Sequence, residues 1–565
     1  MLADFFHGFT DEWMRGNPNQ AAATRYFRES DPKLQAALER QLTPETRAWR
    51  HARVELAKKG LAELGRFDPA RLSHDERVSA ELMQWQLSRL VEGRAYEDYR
   101  FPLDQFNGPN VSLANTLTVQ HPMVTPDDAR NYVARLGQVA MRMHEAIAEA
   151  ERLGAKRMIP PRFILRSTLA QMQQFVGSPP AQNPFVAVFA ERMAGIASLA
   201  PDERKALRAQ AEQVVAGEVY PAWKKAIALL ESLLPGATDD AGLWRFEGGA
   251  SVYAHDLRRY TTTALSPDEI HAIGLREVAR IQAEMEKVLQ RLGRTNGTLE
   301  DRTAALEREL AYPDNDQGRA AIMADIERIL RDAEKRSAVL FAETPKAPVI
   351  ARPYPQFRWA SAAASYSFPA PDGSRPGTFQ IPLRPSYLTR YGLRTLVYHE
   401  TVPGHHYQIA LEMENKALPG FRQLRAFGFV SAYGEGWALY AERLAAEAGW
   451  YEGDPEGLLG QLAAALFRAR RLVVDTGLHA KRWTREQAIA YGIHPSEVER
   501  YVVMPGQACS YMLGQLRIVE LRERARRELG ARYSPKEFHR VVLGTGTVPL
   551  ELLEHEVDAY IAGAK

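Results

Sequence analysis

Apolar residues recur at intervals of three and four along most of this chain, the spacing that lines one face of a helix. The pattern predicts helices over residues 48–65 and 73–92. Ser73 opens the second, with Glu76 three residues on, a capping-box spacing. Between 99 and 125 the pattern lapses, and Pro102, Asn107-Gly108-Pro109 and Pro122 punctuate a loop that carries Tyr99, Phe101 and Phe106. It resumes at Thr125-Pro126-Asp127-Asp128, a cap followed by proline and acids, and runs to about residue 154. Pro160-Pro161 and Pro179-Pro180 interrupt the next part of the chain, and residues 201–234 read as a long helix or a pair. A turn-rich stretch over 234–249 reads as a hinge between a helical lobe, residues 1–240, and a second lobe, residues 241–565. Ser266 then caps a helix with Pro267 at its first position, Glu269 completing the box and Leu265 with Ile270 as staple. From 345 to 388 the period changes. Ala364-Ser365-Tyr366-Ser367 and Gly377-Thr378-Phe379-Gln380-Ile381 read as strands. Helical spacing returns over 389–415, 431–448, 457–472, 484–491 and 506–529. The expected fold is mainly α with one small sheet.

Composition narrows the function classes. The 565 residues exceed one small core, and 45% hydrophobic with 25% charged residues is ordinary for a globular protein. Lys plus Arg number 72 against 70 Asp plus Glu, a net charge of +2, which argues against a nucleic-acid surface or a polybasic membrane patch. Cys509 stands alone, so neither an internal disulfide framework nor a cysteine-rich zinc module is possible, and a buried structural thiol is expected. No apolar run approaches the length of a membrane span, and the opening MLADFFHGFTDEWMRGNP lacks the form of a signal peptide. A cytoplasmic location is expected. Oligomeric state is not legible.

The chemistry concentrates in Tyr398-His399-Glu400-Thr401-Val402-Pro403-Gly404-His405-His406. Imidazole with carboxylate is the ligand set of a catalytic zinc ion, and in H-E-x-x-H helices the Glu between the ligands is the general base. Here the next histidine arrives two residues late. On a straight helix His399 and His406 share a face but lie about 10 Å apart along the axis, too far for one ion. A bulge at Pro403-Gly404 is therefore expected, because proline lacks the N–H and glycine takes unusual dihedrals. That puts His405 in the second ligand position and leaves His406 as alternative ligand or support. The third ligand is expected from Tyr433-Gly434-Glu435-Gly436-Trp437, where Glu435 lies between glycines that would let its helix pack tightly on the metal helix. Phe427, Phe429, Trp437, Leu439 and Tyr440 suggest a buried setting, in which a carboxylate needs a partner. Glu442, two turns further on the same face, is expected to accept a hydrogen bond from a ligand. Zinc peptidases commonly pair substrate backbone with an exposed strand beside the metal, a role residues 378–382, with Thr378, Phe379 and Gln380, can fill; a plain hairpin is the other reading.

His399-Glu400-x-x-Pro403-Gly404-His405-His406, Gly434-Glu435-Gly436-Trp437-Ala438 and Gln507-Ala508-x-x-Tyr511-x-x-Gly514 resemble a bacterial family catalogued as a domain of unknown function and treated as zincin-like metallopeptidases. The likeness extends over nearly the whole chain. More distantly, the Glu435 segment resembles the third-ligand helix of gluzincin aminopeptidases. The helical build is similar to oligopeptidases related to thimet oligopeptidase and angiotensin-converting enzyme. That resemblance implies two helical lobes with a deep cleft or channel, one zinc ion and a small peptide substrate. It also implies a transition-state donor in the segment 506–514, with Tyr511 the first choice and Tyr501 the second, the latter also a candidate substrate contact. Asp475 and His479, four apart on one helical face, offer a carboxylate-oriented imidazole as a further donor or as a plain structural pair. Arg384, Arg390 and Arg500 are candidates for binding a substrate carboxylate. The expected function is zinc-dependent hydrolysis of short peptides with Glu400 as base. The alternatives are hydrolysis of another amide or ester, and a catalytically inactive, peptide- or partner-binding relative.

Overall fold

Capping residues set the helix starts as their spacing dictates. In the computed structural model the Glu76 N–H donates to Ser73 Oγ while the Ser73 N–H donates to the Glu76 carboxylate, and Ser266 with Glu269 repeats the arrangement. The structure describes every residue except 355, 357, 358, 360–362, 371, 372, 374, 386, 387 and 565, so the 345–388 β region is described only in part. The chain forms two units, Met1–Val252 and Tyr253–Lys565, and is mainly α. Among the described residues no helix is long and apolar enough to cross a membrane.

The first unit consists of helices. Its core stacks Tyr132 on Phe189 with ring centroids 4.3 Å apart, and Phe175 on Trp223 at 4.9 Å. The helix expected from residue 125 to 154 is two, Pro126–Leu136 and Val139–Ala155. The break falls at Gly137-Gln138, where the Gln138 amide accepts from Leu42 N–H and donates to the Arg40 carbonyl. A tertiary contact thus overrides a pattern that is continuous in sequence.

In the second unit three strands form one sheet among the described residues: β1 (Val349–Pro353), β2 (Ser365–Ser367) and β3 (Gly377–Ile381). Their order is β1-β3-β2, with β1 parallel to β3 and β2 antiparallel. β1 was not legible in a proline-rich stretch. β3 is the middle strand: Thr378, Phe379 and Gln380 pair with Ile350, Ala351 and Arg352 on one side and with Ser367, Tyr366 and Ser365 on the other. The expectation that Thr378, Phe379 and Gln380 receive a substrate backbone is therefore corrected, because both edges of that strand are already occupied.

Five helices hold the candidate site: α1 (Arg390–Glu400), α2 (His405–Glu414), α3 (Ser431–Glu447), α4 (Pro455–Ala480) and α5 (Ser510–Leu529). α3 and α5 run side by side in the same direction. Ser431 Oγ meets Ser510 Oγ at 2.7 Å at one end, and Gln515 Nε2 donates to the Leu439 carbonyl further along. Between these points Gly436 and Gly514 bring the two backbones together, since a Cβ on Gly436 would lie 2.5 Å from the Gly514 Cα.

Candidate metal centre

α1 ends on His399 and Glu400 because the next residues cannot continue it. Thr401 leaves helical dihedrals (φ −118°, ψ −102°) while its N–H and hydroxyl both bond to the Val397 carbonyl, at 2.9 and 2.6 Å. Pro403, joined to Val402 by a cis peptide, has no N–H to extend the ladder. The chain turns back at Gly404, where any Cβ would overlap the carbonyl oxygens of His399 and Tyr398. α2 then begins at His405. The bulge expected within one helix is thus corrected to two helices joined by residues 401–404. Trp437 of α3 holds the joint, its indole N–H donating to the Pro403 carbonyl at 2.9 Å.

This turn brings His405, not His406, to His399. Their rings lie 4.8 Å apart and nearly perpendicular, and both face Glu435: His399 Nε2 is 3.7 Å and His405 Nε2 3.4 Å from Glu435 Oε2. These three side chains form a cluster able to hold a metal ion. The spacing fits one. A tetrahedron with bonds of about 2.1 Å has edges of about 3.4 Å, whereas 3.7 Å is too long for a hydrogen bond. His405 Nδ1 is buried and makes no hydrogen bond, so nothing competes for the orientation of its ring. His406 turns away, its Nδ1 2.9 Å from the Tyr366 hydroxyl on β2.

His399 has its second nitrogen engaged. Nδ1 lies 2.7 Å from Oε1 of Glu442, which is fully buried and also 3.6 Å from Arg468 of α4. A carboxylate at Nδ1 keeps the proton there and frees the Nε2 lone pair, the usual support of a metal-ligating histidine. Burial disfavours the charged His399 ring, but the carboxylates of Glu435 and Glu442 beside it outweigh it and raise its pKa. Burial likewise acts to raise Glu435, and the two histidines overcome this and hold it well below the usual carboxylate range. Glu400 is buried beside them. Its pKa is raised, chiefly by burial, with Glu435 adding to the effect and both histidines opposing it.

A family model for bacterial proteins of unknown function (DUF885) matches residues 25–557. The chain belongs to this family. Two solved structures resemble it over their whole length. One, described as a "putative lipoprotein" from Colwellia psychrerythraea, is 32% identical with a TM-score of 0.93 and covers 100% of this chain and 99% of its own. The other, described as a "putative lipoprotein of unknown function" from Shewanella oneidensis, is 20% identical with a TM-score of 0.69, covers 98% and 99%, and bears on the fold alone. No curated protein matches.

The remaining residues singled out in this DUF885 chain take other places. Tyr511, in the first turn of α5, accepts from Arg500 Nη2 at 3.3 Å. Tyr501 is fully buried, its hydroxyl accepting from Arg471 Nε at 2.9 Å. His479 is buried too, with Nε2 3.0 Å from the Tyr501 carbonyl and its ring against Tyr253. Asp475 takes the Tyr253 hydroxyl at 2.6 Å and the Gly506 N–H at 3.0 Å, and burial pushes it up to about 7. Arg390 lies over the Tyr312 ring. Cys509 is buried, as a structural thiol should be. Gly434 makes room for the Phe429 ring, and Gly436 for α5, so neither glycine serves the metal helix as expected. Phe429, expected buried, is 44% exposed.

Sequence reasoning missed Tyr366 and the anchoring of Pro403 by Trp437. The first sat in view as the middle of an alternating Ser-Tyr-Ser run. The second had no sequence signal, since an indole partner 34 residues away is set by the packing of α3 on α1.

Proposed function

We propose that this chain is a zinc-dependent hydrolase of short peptides, with one ion held by His399, His405 and Glu435. The observation that carries this reading is the convergence of His399 Nε2, His405 Nε2 and Glu435 Oε2 beside the buried carboxyl of Glu400. The ligand set, two histidines and a glutamate with a glutamate following the first histidine, is that of the gluzincin oligopeptidases the sequence resembles, and it supports the same chemistry. Zinc, when bound, supplies a Lewis acid that acidifies water and polarises a carbonyl. Glu400 takes a proton from the attacking water and returns it to the leaving amine nitrogen. Glu442 holds His399 in the tautomer that presents Nε2 to the cluster. Tyr511 keeps its own hydroxyl proton for the developing oxyanion while accepting from Arg500. His479, buried with its Nε2–H donated to the Tyr501 carbonyl, takes no part in this scheme. With β3 enclosed, β2 is the strand that receives substrate backbone. Among the described residues it pairs on one side only, and Tyr366 on it reaches His406.

Metal analysis of purified protein tests the reading first, with about one zinc per chain expected. Glu400→Gln should retain that zinc and lose peptide hydrolysis by a factor of at least 100, whereas His399→Ala should lose both. Absence of zinc together with unchanged behaviour of His399→Ala would sink the proposal. Zinc binding with no turnover of peptides, acylated amino acids or lactams would instead identify an inactive binding protein. A cytoplasmic site of action belongs to this proposal, and the description of the Colwellia psychrerythraea structure as a lipoprotein sets the envelope as its alternative. Cell fractionation separates them.

A further inference from the structure

α4 carries Arg468, Arg470 and Arg471 within about one turn, and each meets a carboxylate. Arg470 reaches Glu300 and Arg471 reaches Glu497, carboxylates whose side chains are 58% and 27% exposed. Arg468 differs. Its partner is Glu442, whose side chain is 0% exposed, with Arg468 Nη2 3.6 Å from Oε1. The guanidinium is fixed from its other end, where Nη1 donates to the Ala464 carbonyl at 3.1 Å and the group lies 5.6 Å from the Phe467 ring centroid.

Glu442 in turn is lightly held for a buried anion. Its Oε1 takes the His399 Nδ1–H at 2.7 Å, and its Oε2 makes no hydrogen bond. Among the described residues its ionic partners are His399 and Arg468, and both meet the same oxygen. A buried carboxylate is costly without a counter-charge, and loss of one partner leaves it free to turn or move. His399 cannot supply that charge while its Nε2 lone pair is given to a metal, because a ligating imidazole is neutral. Arg468 is then the group of this chain that balances Glu442. Burial has the largest effect on the pKa of both His399 and Glu400, and the Arg468 charge, a smaller influence, lowers each, so its field reaches the metal end of the cluster as well.

We propose that Arg468 is a positioning residue for the metal: its charge fixes the Glu442 carboxylate on His399 Nδ1, and through it the direction of the His399 Nε2 lone pair. The inference rests on the metal-binding part of the proposed function and not on peptide hydrolysis.

The test is the zinc affinity of the full chain, measured by competition with a chelator, across a cycle of Arg468→Gln, Glu442→Gln and the two together. Arg468→Gln should weaken zinc binding about 10-fold. Arg468→Lys, which restores a charge, should recover most of that loss. In the Glu442→Gln background Arg468→Gln should cost nothing further, because the carboxylate through which it acts is already gone. Arg468→Met takes the place of the glutamine variant should that one not fold. An unchanged affinity in Arg468→Gln, an equal loss in both backgrounds, or a lysine variant as weak as the glutamine one each overturn the proposal. The expected cycle without peptide turnover would uphold it and remove the hydrolase reading, whereas absence of zinc from the wild type would remove both.

Discussion

At the scale of single residues the candidate site depends on supports as much as on ligands. Glu442 is fully buried with its Oε1 on His399 Nδ1. Glu442→Gln keeps the volume but removes the charge, so zinc affinity should fall about 10- to 100-fold, as measured by competition with a chelator. Gly404 is the other support. Gly404→Ala would press a methyl group into the carbonyls of His399 and Tyr398, so the turn must open and His405 must move. The expected result is loss of stoichiometric zinc in a chain that remains helical by circular dichroism. The meeting of His399, His405 and Glu435 was legible in sequence because metal chemistry admits few residue types and helix geometry leaves few spacings. The hold of Trp437 on Pro403 was not, since nothing in the sequence marks which indole meets which carbonyl.

At the scale of elements, the short chain between α1 and α2 and the contact between α3 and α5 fix where His399, His405 and Glu435 meet. Gly514→Ala would drive a methyl group into the Ala432 carbonyl and the Gly436 backbone. The α3–α5 pair must spread, at a cost of about 1–3 kcal/mol or more, seen as a lowered denaturation midpoint. The sequence showed Gly434 and Gly436 as packing glycines but could not name their partners, because proximity along the chain suggested α1 and the tertiary fold supplied Phe429 and α5. It predicted β3 as a strand for the same local reasons. Whether that strand lies at the edge or in the middle depends on β1, a parallel partner reached only through a long connection.

At the scale of the whole molecule, buried histidines set a pH limit. His539 is 1% exposed, with Nε2 on the Tyr440 hydroxyl and Nδ1 on the Leu340 carbonyl, and burial lowers its pKa to about 4. In the unfolded chain histidine titrates near 6.5. Between these values the unfolded state binds a proton that the native state does not, so stability falls as pH drops from about 6.5 to about 4, by an amount on the order of 3 kcal/mol. His539→Gln lacks this term, and the gap between its melting temperature and that of the wild type should shrink over that interval. A gap that stays constant across the interval counts against a neutral buried ring. The ring also packs against Trp437, the residue that holds Pro403, so acid should loosen the turn at His405 before the rest of the second unit.

The backbone contact between Gly436 and Gly514 carries a further consequence. Glu435 and Tyr511 stand on two helices that cannot slide past one another, because glycine is the only residue either position accepts. The interval from Glu435 to Tyr511 is therefore set by backbone on backbone rather than by side chains. Natural variation around the candidate site must then come from side chains, with the two glycines left in place.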